Sequence, residues 1–423
     1  MAKNYRRADM NRACESVFAE YQKELLEEYE IFALDAGYET GRYAEENLFD
    51  RLDYYGAAGI DHQILRIQFL TDKGCQSFLE QAARYMETKY GIDIVTDWLG
   101  MTTIWGQQEE QADAFQSKDQ EKQQELNDLL NANEGQLPAE ENPIAHVGGL
   151  KNSPILKLVL PRDAVVSEKT LSGENLLENR EKNCGFGDFS DVAPGEGTLS
   201  TLLFGAYLLE HFSAFTDEEK TGALDYELEY ILEGKASDRE NLEAVVKKLM
   251  LLRFVPNYAY IQTDSGMKAE AEAMALTLCS LLAVPAITAA AAQVILLSWA
   301  FGETVMDLRS LLAGNKVPLT KSGDSWQLSL AGLLKLGTEE DAGDGKDIQG
   351  GLAYREYLRM LLFLESQSTC AVRSLGIIEQ NLRTRHGQSG FRADLCVSRV
   401  EFHSEVTLRR GIRYDFPTYY GYR

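Results

Sequence analysis

Residues whose type and spacing could do chemistry are scattered along this chain rather than gathered. The five histidines (His62, His146, His211, His386 and His403) include no i, i+4 pair and no H-E-x-x-H run, so each is expected in a structural or surface role. The six cysteines (Cys14, Cys75, Cys184, Cys279, Cys370 and Cys396) contain no C-x-x-C pair, which leaves a zinc site unsupported. Cys14 and Cys279 read as small buried hydrophobes. Asp341, Asp344 and Asp347 are the natural candidates for calcium ligands, but their spacing lacks the alternate-residue placement of an EF-hand loop, and a solvated charge run is expected instead. Gly185 and Gly187 share one loop with Gly195 and Gly197; neither pair forms G-x-G-x-x-G after a strand and no G-K-[ST] follows, so a flexible loop is expected rather than a phosphate cradle. The chain has no G-x-S-x-G elbow. The acid pairs Glu27-Glu28 and Glu218-Glu219 fall on amphipathic helices facing water. The expectation is therefore no catalytic residue, no cofactor and no metal.

Composition agrees with that bland chemistry. With 42 Lys plus Arg against 66 Asp plus Glu in 423 residues, the net charge is −24, which repels a phosphate backbone and leaves no nucleic-acid partner expected. A hydrophobic fraction of 44% and a charged fraction of 26% are those of a folded chain. Ala273 to Gly302 carries no charge and is long enough to cross a bilayer. Pro285 divides it, several hydroxyl and amide residues dilute it, and charges resume with Glu303, Asp307 and Arg309, so it is read as two core helices meeting at the proline.

The elements that must position everything else follow from periodicity. Cys14, Val17, Phe18, Tyr21 and Leu25 recur at helical steps and predict one continuous N-terminal helix leading into a short strand near Leu34. Alternation over Ile64 to Thr71 predicts a strand, followed by a helix over 76–90. Residues 107–133 lack a sustained apolar seam and predict a solvated helix or flexible arm. Ser237 and Glu240 form a capping box opening a helix through Leu252, and Gly314 closes the helix begun at Pro285. The acidic, glycine-rich tract 337–351 reads as a surface loop, and Tyr354 to Leu364 with Ala371 to Leu382 as a helical pair. Phe391 onward alternates as two long strands with a phase shift at Val400, as at a β-bulge. These strands need partners, and the nearest candidates lie in the first seventy-five residues. The fold class is thus α+β: a small antiparallel sheet built from both chain termini plus a large, mainly helical insert. The division expected is 1–105 with 386–423 as the sheet domain, 106–143 as an acidic arm and linker, and 144–385 as the helical domain.

The stretch Glu15 to Asp35 resembles the start of the ectodomain of TadE/TadG-type pilus-assembly proteins, in which a helix emerging from a membrane anchor runs into a first strand. The blocks Leu224 to Lys235, Val305 to Leu319 and Trp326 to Leu334 are similar to an uncharacterised family of clostridial envelope proteins, a domain of unknown function. The resemblance implies a membrane anchor ahead of Met1, with Arg6, Arg7 and Arg12 on a juxtamembrane helix. It also implies an extracytoplasmic, non-enzymatic assembly role among other envelope or pilus-assembly proteins. The alternatives are a cytoplasmic acidic scaffold and a hydrolase with dispersed catalytic residues. Tyrosine suits protein contacts, and the chain has 20 of them. The contact residues expected are Val17, Phe18 and Tyr21 on the N-terminal stripe, with Tyr414, Tyr419, Tyr420 and Tyr422.

Overall fold

A computed structural model describes residues 2–133, 135–172, 176–189, 197–280, 284–341, 343, 345–408 and 411–422, so Asp344 and Gly195 lie outside the described residues. The chain begins with α1 (Ala2–Phe18), α2 (Lys23–Tyr29), β1 (Leu34–Asp35), α3 (Glu45–Leu52) and β2 (Asp61–Phe69). It ends with β3 (Cys396–Thr407) and β4 (Arg413–Gly421). These strands make one four-stranded antiparallel sheet in which β3 pairs with all three others. The α+β class and the joining of both chain ends in one sheet are as the alternation predicts.

Ile64 faces Phe402 and Ile67 faces Val400 across the β2–β3 ladder, where cross-strand apolar pairs stabilise the face they share. A register slip between Gln68 and Phe69 leaves Ser398 without an opposite residue, and its hydroxyl donates to the Gln68 carbonyl at 3.0 Å. That bulge is the source of the phase shift seen near Val400. The strand starts at Cys396 rather than at Phe391, because Ala393–Leu395 form a 3-10 turn. Arg392, Arg180 and Asn183 all donate to the Asp394 carboxylate there and draw it out of a strand path.

The expected continuous N-terminal helix breaks between Phe18 and Lys23. Gln22 leaves the helix and donates its backbone N–H to Ala33, while Glu20 accepts from Arg51 and from Tyr55 at 2.6 Å. The apolar stripe therefore splits. Cys14, Val17 and Phe18 pack with β2, β3 and β4 in a smaller core, whereas Leu25 belongs to the larger core of the helical body.

That body contains α4 (Asp72–Tyr90), α5 (Asp93–Leu99), α6 (Thr102–Ala132), α7 (Pro143–Lys151), α8 (Ile155–Val159) and α9 (Thr198–His211). It continues through α10 (Glu227–Glu233), α11 (Asp238–Ile261), α12 (Ser265–Leu278), α13 (Pro285–Leu312), α14 (Leu330–Leu333), α15 (Tyr354–Leu364) and α16 (Gln367–Arg385). The Ser237 cap holds in part, with Glu240 donating its N–H to the Ser237 hydroxyl at 3.2 Å while its carboxylate accepts from that hydroxyl rather than from the Ser237 N–H, and α11 runs beyond Leu252 to Ile261, with Pro256 inside it. The tract 107–133 is one helix laid on the body: Trp105, Ala112 and Leu126 are buried, and Phe115 meets Tyr258 edge-on with ring centres 5.4 Å apart.

The centre of the body is α13. Pro285 occupies its first turn, Gly314 beyond its end adopts φ +83°, and every residue from Val294 to Leu312 is buried. A helix buried all round is a core helix. It is long and apolar enough to cross a membrane, and 72% of its most apolar window is covered by the rest of the protein. α6, α7, α8, α11, α12 and α14 surround it.

Candidate functional site

Burying α13 on all sides also buries its polar residues, and Glu303, Thr304 and Asp307 have no exposure. Glu303 and Asp307 are four residues apart and so share one helix face. That face meets Arg253 and Asn257 of α11, likewise four apart and both shut from solvent. An uncompensated charge in such a place costs several kcal/mol, roughly, so partners are obligatory.

Every charged group here has them, and of the layer's polar atoms the Asn257 Oδ1 has no hydrogen-bond partner. Arg253 donates from Nη2 at 2.8 Å and Nε at 3.2 Å to Asp307 Oδ2, and from Nη1 to the Leu319 carbonyl at 2.9 Å. Asn257 Nδ2 donates to the same Oδ2 at 2.9 Å and to the Thr304 hydroxyl oxygen at 3.0 Å. Lys321 reaches in from the segment after α13, its side chain fully enclosed, with Nζ 2.7 Å from Asp307 Oδ1 and 2.6 Å from Glu303 Oε1. The Glu303 carboxyl also accepts the Gln327 N–H at 2.9 Å and the Leu328 N–H at 2.8 Å. Tyr357 of α15 closes the layer by accepting from Arg253 Nη1 and donating to the Val317 carbonyl, each at 3.2 Å.

The electrostatics follow from this geometry. Burial pushes the Glu303 carboxyl up to about 7, aided by the Asp307 charge and opposed by Lys321. Burial works in the same direction on Asp307, but Arg253 and Lys321 outweigh it and hold that carboxyl below its ordinary value. Two cations and two acids thus make a layer in which the charges balance.

A second buried centre lies under α10. Glu229 accepts the Phe215 N–H at 2.9 Å and the Tyr354 hydroxyl at 2.8 Å on Oε1, while its Oε2 has no hydrogen-bond partner. Burial pushes this carboxyl up to about 7 as well. Nearby, Glu227 accepts from Asn381 at 2.6 Å and from Ser213, and burial raises it too. A third cluster joins the body to the sheet: Arg180 bridges Glu379 and Asp394, with Arg383 and Arg392 alongside.

The residues singled out by sequence are placed differently. His62 lies between Ser404 and Asp53, with Nδ1 3.4 Å from the serine Oγ and Nε2 3.9 Å from the Asp53 carboxylate. These separations are long for a relay, and Ser404 has no exposure, so no substrate reaches it. Burial lowers the His62 pKa. Asp341 is clamped by both Arg309 terminal nitrogens at 2.7 and 2.9 Å, and Asp347 accepts the Lys316 N–H at 2.9 Å, so each acid serves the fold. The Gly185–Gly187 turn, expected to be flexible, is pinned to β2: Phe186 and Ile67 exchange backbone hydrogen bonds of 3.0 Å, and a Cβ on Gly187 would meet that of Arg66 at 2.3 Å. Among the described residues no group of three or more His, Cys, Asp or Glu is arranged to hold a metal, and all six cysteines are unpaired.

Three of the expected contact residues are internal. Val17 and Phe18 are 1% exposed and Tyr422 is 7%, since the N-terminal stripe packs on the sheet and the Tyr422 hydroxyl donates to the Phe18 carbonyl. Tyr420 is half-buried and stacks on Phe18 at 4.4 Å. Tyr21 and Tyr419 are exposed and Tyr414 partly so.

The charge layer itself was missed. Its signal is an i, i+4 acid pair resuming directly after an uncharged apolar helix, which by type alone marks only the end of the apolar run. Residues 133–408 match a family of unknown function, DUF5702, and this span holds every member of the layer and of the Glu229 centre. No curated protein and no solved structure matches the chain. Since that match covers well over half of the sequence, the chain belongs to the DUF5702 family.

Proposed function

We propose that this chain is the body of a non-enzymatic cell-envelope protein, an assembly component of a Tad-like pilus or secretion apparatus of clostridial type. The observation that carries the reading is the docking of α1. Its second half is buried on the sheet through Met10, Ala13, Cys14, Val17 and Phe18, while Asn4, Tyr5, Arg7 and Ala8 in its first turns are exposed. A helix buried along its second half and more exposed in its first turns, where Arg6 reaches back to the Ala58 carbonyl, suits a stalk, and the basic residues there suit the charged margin of a bilayer. In this reading an anchoring helix precedes α1, and the sheet and helical body are held outside the cell membrane for partner subunits to meet. The surface offered includes Tyr21, Tyr414 and Tyr419. The acids and bases of the charge layer and of the Glu229 centre support a structural role, because they are engaged inside the fold rather than gathered in an open cleft.

The test is localisation of the native gene product. It is expected in the membrane fraction, resistant to salt and alkaline washing and open to protease added outside the cell. A product found wholly in the cytosol overturns the proposal.

A further inference from the structure

Within the charge layer, Lys321 is arranged for more than ion pairing. A lysine needs only one carboxylate for charge balance, yet its Nζ touches two, at 2.6 Å to Glu303 and 2.7 Å to Asp307, with the side chain fully enclosed. The two acids have been made unlike. Asp307 is kept ionised by Arg253 and Asn257, which suits a proton acceptor. Glu303 is pushed towards its neutral form, and a neutral carboxyl is the electrophile that an amine attacks. The Leu328 N–H points at Glu303 Oε2, where it would stabilise the negative charge of a tetrahedral adduct at Cδ, while the Gln327 N–H holds Oε1 in place. The Trp326 ring lies 5.9 Å from Nζ, and together with Trp299 and Leu328 it helps to wall the site from water.

We propose that Lys321 and Glu303 condense into an intramolecular isopeptide bond, with Asp307 as the proton-transferring group. The steps balance without any co-reactant. A proton passes from the Lys321 ammonium to the Glu303 carboxylate across their contact, leaving a free amine and a neutral acid. The Nζ lone pair attacks Glu303 Cδ, forming the N–C bond. Asp307 Oδ1 takes a proton from Nζ and delivers it to the departing Oε1 hydroxyl. The Cδ–Oε1 bond breaks and one water leaves. Two buried charges are replaced by a neutral amide, which removes their desolvation cost, while the Arg253–Asp307 pair remains balanced. The product ties α13 covalently to the segment that carries Trp326, and the inference does not depend on where in the cell the protein resides.

The test is the mass of the full chain, purified and measured under denaturing conditions. The expected mass is lower than that of the sequence by one water, with a protease-resistant branched fragment joining the Lys321 and Glu303 peptides. The Lys321→Arg variant keeps the charge and should retain the full mass, with its fold checked by circular dichroism. Asp307→Asn, where it folds, should also retain the full mass. An unmodified mass for the natural chain, or a water loss mapped elsewhere, leaves an ion pair only and overturns the proposal. A water loss persisting in Lys321→Arg would do the same.

Discussion

Glu303 and Glu229 are both shut from solvent inside the helical body, and burial pushes both carboxyls up to about 7. Their surroundings differ. Glu303 sits in a layer with Lys321, Asp307 and Arg253, where each charge meets its opposite. Glu229 meets a hydroxyl and a backbone N–H, and Asp217 is the charge that acts on it. One centre tolerates burial through opposite charge, and the other through neutralisation by a proton. The first should therefore be sensitive to the loss of any member, and the second to pH.

The sharpest way to break this comparison is to remove one acid from the balanced layer. Asp307→Ala leaves Arg253 and Lys321 facing Glu303 alone and should cost about 3–5 kcal/mol in urea unfolding. A loss below about 1 kcal/mol would show that Asp307 does not neutralise the layer.

The pH profile tests the other centre. Glu229 ionises near 4.5 in the unfolded chain and near about 7 in the fold. Between those values the unfolded chain releases a proton that the folded chain keeps, so stability from this group is complete below about 4.5 and falls as pH rises through about 7. The gap corresponds to about 3 kcal/mol. Glu229→Gln should remove this fall, seen as a smaller difference in unfolding free energy between pH 5 and pH 8. The slope that remains belongs to the other groups shifted by burial, Glu227 and His62 among them, and includes Glu303 only where it is a free acid, since an amide to Lys321 does not titrate. Unchanged pH dependence in the variant would contradict the assignment.

A smaller effect separates the two centres further. Tyr354→Phe deletes the hydroxyl that donates to Glu229 Oε1 and should cost about 1 kcal/mol. Because that hydrogen bond favours the ionised acid, its loss should also move the pH midpoint upward. The same change should leave the layer around Asp307 untouched.

The fold was more legible than the site. Alternation over Ile64–Phe69 and from Tyr414 to Phe416 announces strands and places both chain ends in one sheet, but the run read across Val406–Phe416 is divided by the turn between β3 and β4, where the Leu408 N–H donates to the Ile412 carbonyl and Ile412 is exposed. The Ser237 cap and the Pro285 start are local chemistry, and the structure keeps both. The break after Phe18 was not visible, because it depends on Ala33 and Arg51, which arrive from later in the chain. The docking of α6 hangs on a few residues such as Trp105 and Leu126, too sparse to form a readable stripe. The charge layer was hidden for a related reason: Glu303, Asp307, Arg253 and Lys321 are ordinary surface residues by type, and only packing around α13 makes them internal.

The central claim is that the acids and bases of the body are spent on one another, as a layer that is neutral as a whole. The most direct measurement is a double-mutant cycle on Arg253→Met and Asp307→Leu by urea unfolding. Removing both leaves Lys321 paired with Glu303, so the double variant should be less destabilised than the two single losses added together, with a coupling of about 2–3 kcal/mol. Single losses that add to within about 0.5 kcal/mol would contradict it.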